Sequence, residues 1–307
     1  MILAAGLTPA WQQILVFDQF RSGEVNRAQE AHWCASGKVL NVGIAGHALG
    51  EQFRTLAMIG GSGGEAIRRE FATAEIDARW IETEIPTRVC TTILDKSSGV
   101  TTELVEESRT PTEQALADFE AAFAEESKDA SVVVLSGSLP LGVPTDFYRK
   151  LLERTSCRAV LDIRGPELSE ALSCRPFLVK PNREELGKTF GRDLSNDEDA
   201  AAAVWQTIEL GADWVVLTDG SRPVIIGFEG GLFRASSPED LNVVNPIGCG
   251  DCLAAGIAVA LEGGRTPINA IRFGMGAAID NVEQLLPARL NRARVEAVAR
   301  WVTPERI

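Results

Sequence analysis

A chain of 307 residues, 45% hydrophobic and 24% charged, has the makeup of a soluble globular protein and room for one large α/β domain or two modest ones. Its formal charge of −13 argues against a nucleic-acid role, which needs a basic footprint. No window approaches the roughly 18 uncharged apolar residues of a membrane-spanning helix, so no membrane partner is expected.

Met1-Ile2-Leu3-Ala4-Ala5-Gly6 lacks the basic region and length of a signal peptide and reads as a first strand. Residues 12–35 and 86–106 carry shorter alternating patterns, such as Thr87-Arg88-Val89-Cys90-Thr91-Thr92-Ile93-Leu94-Asp95. Ser97-Ser98-Gly99 supplies a hairpin turn within the second segment. Together they are expected to form a small β-sheet lid over a single domain of residues 1–307. Between them, Ser36-Gly37-Lys38-Val39-Leu40-Asn41 opens a helix. A flexible turn, a lysine and an asparagine there suit a polyol or phosphate ligand; a solvated lysine and an ordinary helix cap explain them equally well. Gly60-Gly61-Ser62-Gly63-Gly64 is glycine-dense, but the chain has no Walker A pattern.

From about residue 130 apolar runs alternate with helix-period segments. Residues 131–135, 159–163, 177–180 and 214–218 read as strands, and 144–153 and 197–210 as helices. Strands buried on both faces and alternating with helices predict a mostly parallel sheet. Ligands of such sheets sit at the carboxyl ends of the strands. Ser138, Asp162, Lys180-Pro181-Asn182 and Thr218-Asp219-Gly220 all fall there.

Asn245-Pro246-Ile247-Gly248-Cys249-Gly250-Asp251-Cys252 runs directly into a small-residue helix. Glycines permit close approach of a ligand, and the unpaired amides of a helix start attract anions, phosphate above all. Asp251 is either a plain cap or a functional carboxylate. Six cysteines with no secretory signal are expected as free thiols in a reducing cytoplasm, the predicted location. Cys249 and Cys252 have C-x-x-C spacing without a second pair or nearby histidines, which disfavours a metal site. They are either small fillers or, because a helix start lowers thiol pKa, a redox pair.

Taken in order, these segments resemble the ribokinase-like PfkB carbohydrate kinases, in particular the phosphosugar branch of 1-phosphofructokinases and tagatose-6-phosphate kinases. Residues 245–251 are close to that family's N-P-V-G-A-G-D. Ser136-Gly137-Ser138-Leu139-Pro140 resembles its S-G-S-L-P, Lys180-Pro181-Asn182-Arg183-Glu184-Glu185-Leu186 its K-P-N-x-x-E-L, and Gly23-Glu24-Val25-Asn26-Arg27-Ala28 a lid segment of the phosphosugar branch. The resemblance implies a ribokinase-like fold and transfer of the γ-phosphoryl group of ATP, with Mg²⁺, to a hydroxyl of a phosphosugar. It implies Asp251 as general base and Gly248, Cys249 and Gly250 as the anion hole. Asn182, Glu185, Thr218, Gly220 and Asn281 fall on the nucleotide side, with Glu185 organising the metal through water. Gln12, Gly37, Lys38, Asn41, Arg88 and Ser138 fall where the branch holds substrate. Relatives often pair through the lid, so a homodimer is expected.

The sugar side departs from the family pattern. Gln12 replaces an aspartate, and Ser36 and Val39 replace glycines. An altered acceptor is the expectation; a sugar-phosphate-binding protein without turnover is the alternative.

Overall fold

The computed structural model describes every residue except Glu239. The first half of the chain contains β1 (Ile2–Gly6), β2 (Ala10–Phe17), β3 (Glu30–Ser36), α1 (Lys38–Ala48), β4 (Phe53–Ile59), α2 (Gly61–Thr73), β5 (Ala78–Glu82), β6 (Arg88–Asp95), β7 (Val100–Val105) and α3 (Glu113–Glu126). There follow β8 (Val132–Ser136), α4 (Phe147–Leu152), β9 (Arg158–Asp162), α5 (Gly165–Leu172), β10 (Leu178–Val179), α6 (Arg183–Phe190), α7 (Asp197–Glu209) and β11 (Trp214–Leu217). The chain closes with β12 (Val224–Phe228), β13 (Gly231–Ala235), α8 (Cys249–Glu262), α9 (Pro267–Val282), α10 (Arg292–Ala299) and β14 (Glu305–Arg306).

Ten strands form one sheet in the order β14-β13-β12-β11-β10-β9-β8-β1-β4-β5. From β5 to β11 the neighbours run parallel, and β12 to β14 add an antiparallel edge. The apolar runs are continuous because both faces are covered. Ile2 and Ala4 of β1, like Val132 and Val134 of β8, enter one core with α1, α8 and α9. Leu3, Ala5, Val133 and Leu135 point the other way, into a core shared with α3 and α7. This two-sided burial makes a parallel sheet stable and leaves its strand ends as the accessible polar rim.

A second sheet, in the order β3-β2-β6-β7, contains the alternating segments. Its strands cover residues 10–17, 30–36, 88–95 and 100–105, while the Gly23–Ala28 stretch lies between β2 and β3 without strand structure. Ile14, Val16, Cys34 and Leu94 of this sheet pack on Leu285 and Leu286, which anchors it beside the end of α9. The predicted helix over 144–153 is shorter than the sequence pattern. Pro144 lies in the preceding turn, its carbonyl accepting from the Phe147 amide at 3.0 Å, and α4 starts only at Phe147.

Helices α8 and α9 approach closely because glycines face one another. A Cβ on Gly256 would lie 2.7 Å from the Gly274 Cα. That contact fixes α8, and with it the turn at its N-terminus. No helix among the described residues is long and apolar enough to cross a membrane.

Candidate active site

The turn before α8 is held from behind by two asparagines. Asn245 Oδ1 accepts from the Ile247 amide at 3.0 Å while its Nδ2 donates to the Leu285 carbonyl at 2.8 Å. Asn281, fully buried, donates to the Ile247 carbonyl at 2.9 Å and accepts from the Ala288 amide at 2.6 Å. Gly248 caps the helix at φ 84°, and a Cβ there would lie 2.9 Å from Pro287 Cβ. Only glycine satisfies both conditions. Among the described residues, the amides of Gly250 and Asp251 find no acceptor within the protein. They face a cleft of about 830 Å³.

Asp251 lies buried in the first turn of α8. Its Oδ2 accepts from Asn41 Nδ2 at 2.7 Å, and Asn41 Oδ1 in turn accepts from the Ser36 hydroxyl at 3.2 Å. Burial pushes the Asp251 carboxyl up to about 6, and the Asp162 charge adds to the push; Lys38, the Asn41 hydrogen bond and Lys180 oppose it. A carboxylate so placed is ionised at neutral pH yet basic enough to receive a proton.

Beside it, four strand-end and helix-start segments converge on one ion cluster. Lys38 Nζ lies 2.9 Å from Asp162 Oδ1 and 3.1 Å from Glu185 Oε1, and Lys180 Nζ lies 3.3 Å from the same Asp162 oxygen. Burial pushes the Asp162 carboxyl up, but the Lys180 and Lys38 charges outweigh it and leave Asp162 below its ordinary value. Burial likewise pulls Lys38 down, and Asp162, Glu185 and Asp251 together hold it above the usual lysine range. Lys38 reaches the cleft with its side chain 32% exposed, whereas Lys180 is enclosed at 3%.

Glu185 is fixed by a capping box. Asn182 Oδ1 accepts from the Glu185 amide at 2.7 Å, and Glu185 Oε2 accepts from the Asn182 amide at 3.0 Å. Asn182 also bridges in parallel to Thr218, which brings the ends of β10 and β11 side by side. Thr218 and Gly220 line the cleft, as do the apolar side chains of Leu241, Val243, Met275 and Ile279.

On the lid side the cleft is bounded by Gln12, Gly37 and Arg88. Gln12 Nε2 donates to Thr92 Oγ1 at 2.8 Å, so the substituted amide is tied into the lid sheet. Arg88 donates to the Thr8 carbonyl at 3.1 Å and the Glu106 carbonyl at 3.3 Å, and its buried Nε has no partner. Gly37 adopts φ 87° where a Cβ would approach Ala10 N to 2.9 Å, so it lets the lid strand pass close to the start of α1.

Two expected residues stand apart from the cleft surface. Ser138 follows β8 half-buried, its carbonyl accepting from Thr8 Oγ1 at 3.2 Å, and Asn281 supports the α8 turn from behind. Conversely Asp162, Lys180, Glu103 and Arg222 line the cleft without having been assigned a role from sequence. The first two had a usable signal, their position at parallel strand ends. All six cysteines are free. Burial pushes the Cys249 thiol up to about 11 and Cys252 well above its ordinary value, opposite to what the helix start alone predicts.

The sequence profile of the pfkB family carbohydrate kinases matches residues 6–289. The chain belongs to the PfkB family of carbohydrate kinases. Within this family it is 32% identical over 267 residues to a tagatose-6-phosphate kinase of Staphylococcus epidermidis, covering 85% of either chain. The kinase superposes on a possible 1-phosphofructokinase of Thermotoga maritima with a TM-score of 0.90 at 21% identity, covering 100% of this chain and 99% of the other. Phosphofructokinase-2 of Escherichia coli gives 0.88 at 22% identity, covering 98% and 99%. A ribokinase of Thermotoga maritima gives 0.75 at 19%, over 97% and 99% of the two chains. The expected ribokinase-like fold is therefore correct, and the kinase falls in the phosphosugar branch.

Proposed function

We propose that this kinase transfers the γ-phosphoryl group of ATP to a hydroxyl of a hexose phosphate of the tagatose 6-phosphate or fructose 1-phosphate type. The observation that carries the reading is Asp251 at the mouth of α8, beside unpartnered amides and with its carboxyl pushed up to about 6. Asp251 takes the proton of the acceptor hydroxyl, and Asn41 holds its carboxylate in place. The amides of Gly250 and Asp251, preorganised by the left-handed turn at Gly248, receive the charge of the transferring group, whereas the Cys249 amide expected among them donates to the Pro246 carbonyl at 3.3 Å. Lys38 and Lys180 add positive charge next to them, so the protein's contribution is positioning and electrostatic stabilisation.

Asn182, Thr218 and Gly220 hold the phosphates and ribose, and the apolar side chains of the cleft take the base. Asn281 acts through the turn it supports. Mg²⁺, when bound with ATP, neutralises charge on the nucleotide phosphates. Among the described residues no three acidic, thiol or imidazole groups converge on a direct metal site. This suits an ion that keeps its waters and leans on substrate phosphates, with Glu185 holding it through water. Asp162 can assist, since its buried Oδ2 lacks a partner.

Gln12, Gly37 and Arg88 receive the acceptor, with Ser138 supporting that end. Two copies pair through the lid, where Trp33, Val100 and Leu104 are exposed on the face turned away from the cleft; light scattering that finds only monomer would remove this part. The decisive experiment measures ADP release with tagatose 6-phosphate, fructose 1-phosphate, fructose 6-phosphate and free hexoses, using Asp251→Asn as control. Absence of acceptor-dependent turnover throughout would sink the reading.

A further inference from the structure

The lid presents a carboxylate as well as a cation to the acceptor. In the β6–β7 pairing Cys90 lies opposite Val105 and Thr92 opposite Glu103. Because side chains alternate along a strand, Arg88, Cys90, Thr92, Glu103 and Val105 share one face. Arg88, Cys90, Glu103 and Val105 all line the cleft. Thr92 is the residue to which Gln12 donates, so Glu103 stands on the strand next to the Gln12–Thr92 hydrogen bond. The Arg88 charge is felt at Glu103, where it opposes the upward push of burial on the carboxyl.

Charge on the acceptor side is closely balanced. Lys38 is already paired with Asp162 and Glu185. Of the cations lining the cleft among the described residues, Lys38, Lys180 and Arg222 are each paired with a carboxylate, whereas Arg88 is bonded only to the carbonyls of Thr8 and Glu106 and keeps its charge for an acceptor phosphate. Glu103 is exposed at the mouth of the cleft, so a phosphate dianion seated at Arg88 meets the Glu103 charge through partly screening water.

We infer that Glu103 is a specificity-determining residue that selects acceptors by their charge at the lid end, weakening the hold of Arg88 on a phosphate dianion. The inference rests on the phosphosugar reading above. It explains a role for the lid that the replacement of aspartate by Gln12 leaves open: a carboxylate still faces the acceptor, from a different strand.

Glu103→Gln and Glu103→Arg, assayed on phosphorylated and free hexoses with ATP varied separately, test it. For Glu103→Gln the kcat/KM for phosphorylated acceptors rises about tenfold, the ratio that about 1.4 kcal/mol corresponds to, through KM. Glu103→Arg raises it further. Values for free hexoses do not rise, and the KM for ATP stays put. An unchanged or lower kcat/KM on phosphorylated acceptors overturns the role of Glu103, as does an equal rise on free hexoses. Turnover of free hexoses alone, by wild type and both variants, overturns the phosphosugar reading instead and takes the inference with it.

Discussion

Asn41 Nδ2 donates to Asp251 Oδ2 at 2.7 Å, joining the first turn of α1 to the first turn of α8 across 210 residues of sequence. The bond orients the candidate base and stabilises its charged form, yet burial still wins and the carboxyl stays at about 6. Both helices begin at glycines with positive φ, Gly37 and Gly248, so two left-handed turns set this one hydrogen bond.

Asp251→Asn lowers kcat by about 10²–10⁴-fold, the usual contribution of a positioned general base. In the wild type, kcat/KM for the acceptor rises with pH through about 6 as Asp251 ionises. A flat profile between pH 5 and 8 in steady-state assays excludes this carboxyl as the base.

The same substitution is expected to stabilise the fold at neutral pH. Native Asp251 keeps its proton up to about pH 6, whereas the unfolded chain releases it near 3.8. The native state is therefore favoured below about pH 4 and loses that advantage as pH rises through 6. Removing the charge recovers up to about 3 kcal/mol above pH 7. Urea melts at pH 4 and 8 check this; equal stability of variant and wild type at pH 8 contradicts it.

Asp162→Asn acts in the opposite sense. It leaves the enclosed Lys180 ammonium without its carboxylate, a loss of about 3–5 kcal/mol for a broken buried pair. Asp162 lies below its ordinary pKa, so its contribution is present at neutral pH and vanishes as pH falls through its native value. The gap between variant and wild type should close on acidification, and a gap constant from pH 7 to 2 counts against the pairing.

Gly248→Ala places a Cβ at φ 84° and 2.9 Å from Pro287. The left-handed conformation alone costs about 1–2 kcal/mol, and relief of the contact displaces the amides of the turn. Denaturation and kcat should both register the change. Full activity in a destabilised variant separates the turn from the chemistry.

Cys249 is expected to resist alkylation. A thiol at about 11 in place of 9.0 carries roughly 100-fold less thiolate near neutrality. Mass spectrometry after iodoacetamide treatment at pH 7.5 measures this, and labelling as fast as for a free cysteine refutes it.

Elements whose physics is local can be read from the order of the residues alone. Gly248-Cys249-Gly250-Asp251 forms its anion site from adjacent residues, so turn, amides and carboxylate are written in one run of letters. Parallel strands announce themselves through two-sided burial, as in Val132–Leu135, and the Asn182–Glu185 capping box through its spacing. Helix α4 shows the limit, because Pro144 fits a helix start or a turn equally and tertiary packing chose the turn. The charge state of the site was decided only by the tertiary structure. Lys38, Asp162, Lys180 and Glu185 come from four segments, and sheet order alone makes them partners. Burial of the assembled α8 mouth moves Asp251 and Cys249 upward, against the pull that a helix N-terminus exerts by itself. Alternation tells that Glu103 shares a face with Arg88, but only closure of the lid over the strand ends decides that this face looks onto the acceptor. Electrostatic environment is a sum over distant neighbours, and no short stretch of sequence carries that sum.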